Sequence, residues 1–379
     1  AMGTTVTIGH SVGAKCMEQA EKIIGNTITL FMGIAVAFTV ILVALVKPIV
    51  VLIATPQEAV AGTSIYLLIC FIGIPFITAY NIISSIFRGL GDSKSPMYFI
   101  GIACVMNIAL DYLFMGAFHM GAAGAALGTV CAQTFSVLVA LWVIRRRKTG
   151  ISLKKSDFKI ERAVIGQVLK IGIPVALQDG FIQVAFMIIT VIANSRGVSD
   201  AAAVGVVEKV ISALFIVPSS MLATVSALSA QNLGAGKEKR ATDTLRYATV
   251  ITTIYGVIVA VLIQFIAENV VGIFTSDPPV VTMGSAYIRS YIWDCIFAGI
   301  HFSFSGYFAA CGKSYIGFLH NIISITFVRV PGSYLASKYF TDTLYPMGLA
   351  APAGSLVSVA ICVTAFILLK RKSRVAQTV

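Results

Sequence analysis

Asn107 and Asp111 stand four residues apart in the stretch "NIALDYLFMG" (107–116), between two long apolar runs. A spacing of four puts both side chains on one helix face, about one turn apart. The connection that follows is centred near His119–Met120, and Thr129 lies about as far beyond it as Asp111 lies before it. In an antiparallel helix pair those positions share a depth, so an amide, a carboxylate and a hydroxyl can converge. Three oxygen ligands suit a hard cation such as Na⁺, and an acid in that setting equally takes a proton. An acid at mid-membrane costs about 2.5–3.5 kcal/mol or more, which argues that it is kept for a use. Asp111 also lies near the end of its apolar run, where a structural use is open to it, capping or stapling helices at the outer interface.

Three further acids sit in apolar surroundings. Asp294 is deep in the run 283–309, and Asp179 is in the middle of 164–194, flanked by Gln178 and Gln183. A buried acid away from a fixed cation holds its proton and can exchange it, so both are candidates for proton coupling or substrate contact. Structural hydrogen bonding is the other reading of each. Glu208 is a third candidate, but Lys209 adjoins it and is expected to neutralise it.

These groups need helices to position them. Of the 379 residues, 58% are hydrophobic and 12% charged, and the mean hydropathy is +0.91. A soluble protein of this size could not hide that much apolar surface. Apolar runs of roughly 20 residues recur, each long enough to cross a hydrocarbon core of about 30 Å. Ten are read, over 27–46, 60–86, 97–117, 122–144, 164–194, 201–229, 248–271, 283–309, 315–336 and 348–369. Within lipid every backbone amide needs an internal partner, so these runs are helices and the fold is all-α and polytopic. Pro75, Pro174, Pro218 and Pro331 fall within or at the ends of spans. Each frees a backbone carbonyl and permits a bend.

The net charge of +12 is placed at alternate connections, at Lys15/Lys22, Arg88/Lys94, 145–162, Lys237–Arg240, Lys313 and 370–372. The intervening connections are short and poor in Lys and Arg. That asymmetry puts the basic set and the C-terminus in the cytoplasm of a multi-pass cell-membrane protein, and it disfavours nucleic acid as a partner. Seven cysteines without a CxxC read as small packing residues, and the four histidines form no HxxxH or HExxH pattern. P-loop, GxSxG and dinucleotide patterns are absent, so no enzyme and no cofactor is expected.

The chain repeats itself. "SVGAKCMEQA" (11–20) pairs with "NLGAGKEKRA" (232–241) at an offset of 221, and the same offset carries "FRGLGDS" (87–93) onto "FAACGKS" (308–314). After a shift of six, "MGAAGAA" (120–126) pairs with "MGLAAPAG" (347–354). The expected organisation is an N-terminal lobe over 1–148, a basic cytoplasmic linker over 149–163 and a C-terminal lobe over 164–379. Two spans precede the landmark in the second half and ten residues precede it in the first. The sequence is therefore expected to lack roughly the first two helices of a twelve-span chain built as two six-helix bundles. An even number of spans per half gives a pseudo-two-fold axis along the membrane normal, a central cleft and alternating access by rocking of the bundles. At these offsets Asn107 falls on Val328, Asp111 on Gly332 and Thr129 on Leu356, so the three polar groups vanish together. That behaviour suits a unit better than three unrelated anchors.

The series "SVGAK", "FRGLGDSKSP", "NIALDYLF", "GAAGAALGT", "IGIPVALQ", "AQNLGAGKEKRA" and "YFAACGKS" resembles the multidrug and toxic compound extrusion (MATE) family along the whole chain, in order. The resemblance implies twelve helices in two six-helix lobes, and export of cationic or amphipathic compounds against inward Na⁺ or H⁺. It also implies a first-lobe cation site, possible for Na⁺, made of an acid on the first helix with the Asn, Asp and Thr that match Asn107, Asp111 and Thr129. The first-helix acid has no counterpart here. The family's second-lobe acids vary, and they are carried onto Asp179, Glu208 and Asp294 as proton-coupling or substrate-contacting groups. The partners expected are small amphipathic or cationic substrates and membrane lipid, with the protein a monomer. A flippase of the same superfamily, moving lipid-linked sugars, is the runner-up. It would carry basic residues in its cleft, whereas Lys209, Arg289 and Arg329 are read as close to span ends. An intramembrane enzyme or a channel would need a catalytic motif or a filter-like repeated loop.

Overall fold

The computed structural model describes residues 1–53, 55–146 and 153–378, and they are helical nearly throughout. The first unit, Gly3–Leu169, contains α1 (Met2–Gly13), α2 (Met17–Ala44), α3 (Val46–Leu52), α4 (Gln57–Leu90), α5 (Lys94–Asp111) with a π-helical turn Tyr112–Ala117, and α6 (Gly121–Arg146). A short 3₁₀ turn, Lys155–Phe158, precedes α7 (Arg162–Asn194). The second unit, Lys170–Val379, takes most of α7, then α8 (Val198–Leu214), α9 (Ile216–Gly234), α10 (Glu238–Gly272), α11 (Pro278–Tyr291), α12 (Asp294–Ala310) and α13 (Tyr315–Ser324). A second π-helical turn, Ile325–Arg329, leads to α14 (Val330–Tyr339) and α15 (Tyr345–Thr378).

Among the described residues, eight helical runs are long and apolar enough to cross a membrane by length and composition. The pairs α11/α12 and α13/α14 are broken in the middle and cover the other two spans read from the sequence. Much of the apolar surface is exposed, as at Phe38, Val40 and Phe265, which is the arrangement lipid demands. Of the basic linker expected over 149–163, residues 149–152 lie outside the described residues. Its later part docks on α2. Asn26 donates from Nδ2 to the Asp157 carbonyl at 3.1 Å and accepts from the Glu161 amide at 2.7 Å, and Thr29 donates to the Phe158 carbonyl at 3.0 Å.

The repeat is visible in the backbone. α2 and α10 begin at Met17 and Glu238, α4 and α11 at Gln57 and Pro278, and α5 and α13 at Lys94 and Tyr315, each pair 221 residues apart. The left-handed residues before and after these helices also pair at that distance, Lys15 (φ 59°) with Gly236 (φ 70°) and Gly91 (φ 93°) with Gly312 (φ 69°).

Proline leaves the carbonyl four residues earlier without its helical donor. Three of these carbonyls are taken by hydroxyls from neighbouring helices. Thr39 caps Phe71 O below Pro75 at 3.1 Å, Ser314 caps Lys170 O below Pro174 at 3.2 Å, and Tyr255 caps Leu214 O below Pro218 at 2.9 Å. The helix breaks between α8 and α9 just before Pro218, and the second π-helical turn runs up to Pro331. Arg196, in the connection after α7, is also spent on structure. Its guanidinium pairs with Asp200 at 2.6 Å and donates to the carbonyls of Ser337, Phe340 and Thr341 at 2.8–2.9 Å. Cys295 and Cys362 are buried packing residues as expected, whereas Cys16, Cys104 and Cys131 are exposed.

Candidate functional site

In the first unit, α4, α5 and α6 enclose a cavity of 170 Å³ lined by Asn107 and Thr129, with Tyr80, Cys104 and Gln133 on the same wall. Asp111 does not line it. The carboxylate is tied to it through Asn107, whose Nδ2 donates to Asp111 Oδ1 at 3.4 Å. Asp111 is the last residue of α5 before the π-helical turn, and its Oδ1 sits against Gly128 of α6, where a Cβ would overlap it. Glycine at 128 is therefore what lets the acid lie against the helix that carries Thr129. The Thr129 hydroxyl donates to Ala125 O at 3.1 Å and keeps its lone pairs. Tyr80 Oη and Gln133 Oε1 are buried without a hydrogen-bond partner. A buried polar atom left unpaired costs about 1–3 kcal/mol, so both favour an occupant with complementary charge. A larger groove of the same unit, 460 Å³ between α2, α4 and α6, is lined by aliphatic side chains and Phe87 and offers no such groups.

In the second unit, a cavity of 50 Å³ is lined by Asp294, His301, Asn321, Ser324, Arg329 and Ser355 among others. The break at Ile292–Trp293 puts Asp294 in the first turn of α12, at the positive end of its helix dipole, and only 1% of the residue is exposed. Arg329 bonds to the Tyr291 hydroxyl, and its guanidinium stacks 5.1 Å from the centroid of Phe186 and 5.5 Å from that of Tyr291. Its charge reaches both Asp294 and Glu208. Glu208 accepts from Thr190 Oγ1 at 3.4 Å, and among the described residues it makes no ion pair with Lys209. Adjacent residues on a helix point about 100° apart, which is why the expected pairing fails. Asp179 is exposed on α7 and stays out of this cluster, although Gln178 beside it is fully buried.

Arg329 was expected near a span end. It lies instead in the π-helical turn between α13 and α14, within the run, where it bonds to the Tyr291 hydroxyl, lines the cavity with Asp294 and leaves its Nε without a hydrogen-bond partner. The sequence reading also missed His301 and His320, nineteen residues apart in the chain, whose rings meet with centroids 5.4 Å apart. No metal-like spacing announces them, because they come from different helices.

The two cavities are one feature of the repeat. At the offset of 221, Tyr80, Ile100, Ala103 and Cys104 of the first correspond to His301, Asn321, Ser324 and Ile325 of the second, and all eight line their cavities. Carrying the sequence offset onto Tyr80 would have pointed to His301.

The family described as MatE matches residues 1–113 and 174–335. Probable multidrug resistance protein YpnP of Bacillus subtilis (strain 168) is 30% identical over 347 residues, which cover 91% of this chain and 77% of that protein. Multidrug export protein MepA of Staphylococcus aureus (strain MRSA252) is 24% identical over 314 residues, 82% of this chain and 69% of that one. A solved structure, the outward-facing conformation of a multidrug resistance MATE family transporter of the MOP superfamily, shares the fold with a TM-score of 0.92 at 19% identity, over 98% of this chain and 84% of that chain. The two matched blocks take in the Asn107–Asp111 helix and the residues from Asp294 to Arg329, and with that match, the 30% identical relative and eight helical runs apolar enough to cross a membrane among the described residues, this multi-pass membrane protein belongs to the MatE family.

Proposed function

We propose that this protein is a secondary active efflux transporter that exports amphipathic or cationic compounds in exchange for inward Na⁺ or H⁺ by alternating access. The reading places it in the cell membrane with its C-terminus in the cytoplasm, acting as a monomer. Asn107, Asp111 and Thr129 take the coupling cation in the first unit. Asp294 is a second coupling acid, with Glu208 in its electrostatic neighbourhood, and Asp179 is available to substrate from its exposed position. The observation that carries the proposal is the meeting of Asn107 and Thr129 on one cavity wall with Asp111 tied to that wall by a hydrogen bond. A hard cation recruits such oxygens, and lipid-facing helices have no other need of them. The export of multiple compounds by the relatives named above supports the substrate class.

Ethidium efflux from cells expressing the protein tests this. Asp111→Asn keeps the shape and the Asn107 contact but removes the charge. It is expected to lower ethidium efflux at least tenfold at equal membrane abundance. Efflux at the level of the unaltered protein would take Asp111 out of the mechanism.

A further inference from the structure

Asp294, His301 and Ser305 follow one another on α12 at spacings of seven and four, which is a single stripe on one helix face about 16 Å long. His320 on α13 closes onto this stripe. Its Nε2 is 2.8 Å from Ser305 Oγ, and its ring meets that of His301 edge-on at 63°. The stripe continues toward Gln178 of α7, because a Cβ at Gly317 would lie 2.9 Å from Gln178 Oε1 and 3.3 Å from Ser305 Oγ. Ser305 is seven residues from Gly312, so the far end is about 10 Å from the connection that carries Lys313.

Several atoms along this line are buried and unpartnered: Asp294 Oδ1, Nδ1 of both histidines, and both amide atoms of Gln178. Such atoms are satisfied by water where there is room, and a water needs about 10–15 Å³. The 50 Å³ cavity that Asp294 and His301 share exceeds that. The groups lining it besides Asp294 and His301 include the Arg329 guanidinium from the π-helical turn and the hydroxyls of Tyr291 from α11 and Ser355 from α15; the Glu208 carboxylate of α8 and the Cys295 thiol next to Asp294 lie outside the lining. Glu208 adds a second carboxylate to the electrostatic neighbourhood of the Arg329 guanidinium, which leaves one negative charge over. A proton cancels it at no steric cost, while a metal cation would have to sit beside a fixed guanidinium in a low-dielectric site.

We propose that His301 and His320 form a proton relay between Asp294 and the Gly312 end of the second unit. The proposal rests on Asp294 acting as a coupling acid. A proton leaves the Asp294 carboxyl through cavity water to one ring nitrogen of His301, while the other ring nitrogen passes a proton on to His320. From there it moves to the Ser305 hydroxyl, on the Gly312 side of the histidine pair. Imidazole suits this because one ring nitrogen accepts while the other donates.

Stopped-flow mixing of the purified full chain with ethidium in weakly buffered detergent, with a pH-indicator dye, separates the amount of proton released from its rate. The unaltered chain is expected to release protons on binding ethidium, and Asp294→Asn to abolish the release. His301→Gln and His320→Gln should leave the amount and the ethidium affinity within twofold and slow the release at least tenfold. Ser305→Ala, which adds no volume, should slow it about threefold and serves if the glutamine variants aggregate. A merely structural role would lower affinity or amount without separating them from rate. Release at the original rate in the histidine and serine variants overturns the relay and leaves Asp294 standing. Release untouched by Asp294→Asn overturns the coupling acid and the relay with it, and failure of ethidium to bind overturns the efflux reading itself.

Discussion

The cavity behind Tyr80 and the cavity behind His301 occupy the same place in the repeat and are furnished in opposite ways. In the first unit α4 runs unbroken through Gly73, where the side chain of Val130 leaves no room for a Cβ. The acid is therefore on the neighbouring helix, at Asp111, with amide and hydroxyl oxygens near it and no guanidinium among the lining residues. In the second unit the chain breaks at Ile292–Trp293, and the position of Gly73 is held by Asp294 at a helix start. There the lining adds an imidazole and Arg329. The repeat holds the pocket twice. What differs is which helix keeps its backbone continuous, and that decides where an acid fits.

The largest effect that tests this contrast comes from the guanidinium. Arg329 and Ile108 are equivalent by the offset, and Ile108 is exposed while Arg329 is bonded to Tyr291 and lines a cavity with Asp294. Arg329 and Glu208 are part-buried and Asp294 is buried, so removing the guanidinium costs up to about 3 kcal/mol, the low end for a buried charge losing its partner. Arg329→Ala should lower the thermal midpoint in detergent by well over the change from Ile108→Ala, which is expected to be nearly silent. Equal shifts would mean that the second cavity is not organised around Arg329.

A smaller effect is expected where helices touch. A methyl at Gly128 overlaps Asp111 Oδ1, and overpacking of this kind costs about 1–3 kcal/mol. Gly128→Ala should therefore both destabilise the chain and reduce ethidium efflux, because it moves the acid from α6. The equivalent residue of the second unit is Ser355, beside Asp294. Ser355→Ala only deletes a hydroxyl and should cost about 1 kcal/mol. If Gly128→Ala leaves efflux intact, the close seating of Asp111 against α6 is not part of ion coupling.

How much of this was legible in the sequence depended on whether a feature is local. Hydropathy gave the eight long apolar helices, since lipid imposes one rule on every span, and the runs 283–309 and 315–336 fall on helix pairs interrupted within the run. That Asn107 lies beside Asp111 and shares a cavity with Thr129 was also within reach, because two of the three share a helix face and the third follows after one connection. Glu208 was misjudged because adjacency along the chain was taken for adjacency in space. Arg329 was misplaced because a charged residue beside Pro331 looks like the end of a span, whereas the π-helical turn carries it inside. The histidines were invisible as a pair, since their meeting depends on how α12 packs beside α13. The capped carbonyls below Pro75, Pro174 and Pro218 have the same character: proline declares that a carbonyl is free, and only the packing shows which hydroxyl takes it.

The smallest effect concerns the backbone that the two halves share. Lys15 and Gly236 hold the same left-handed conformation in the turn before α2 and α10, with φ of 59° and 70°. Glycine adopts it freely, while an L side chain pays roughly 1–2 kcal/mol for a contact between Cβ and the carbonyl oxygen. Part of that is returned by glycine's greater freedom in the unfolded chain. Lys15→Gly should therefore stabilise the first unit by under about 1 kcal/mol, read as a rise of a degree or two in thermal midpoint, and Gly236→Lys should lower it by a similar amount. The lysine is also one of the basic residues on that face, so Lys15→Asn, which tolerates the same conformation, separates backbone from charge. Stabilisation by both Gly and Asn assigns the effect to the turn, and stabilisation by neither would mean that the repeat's two turns are equivalent in shape but not in strain.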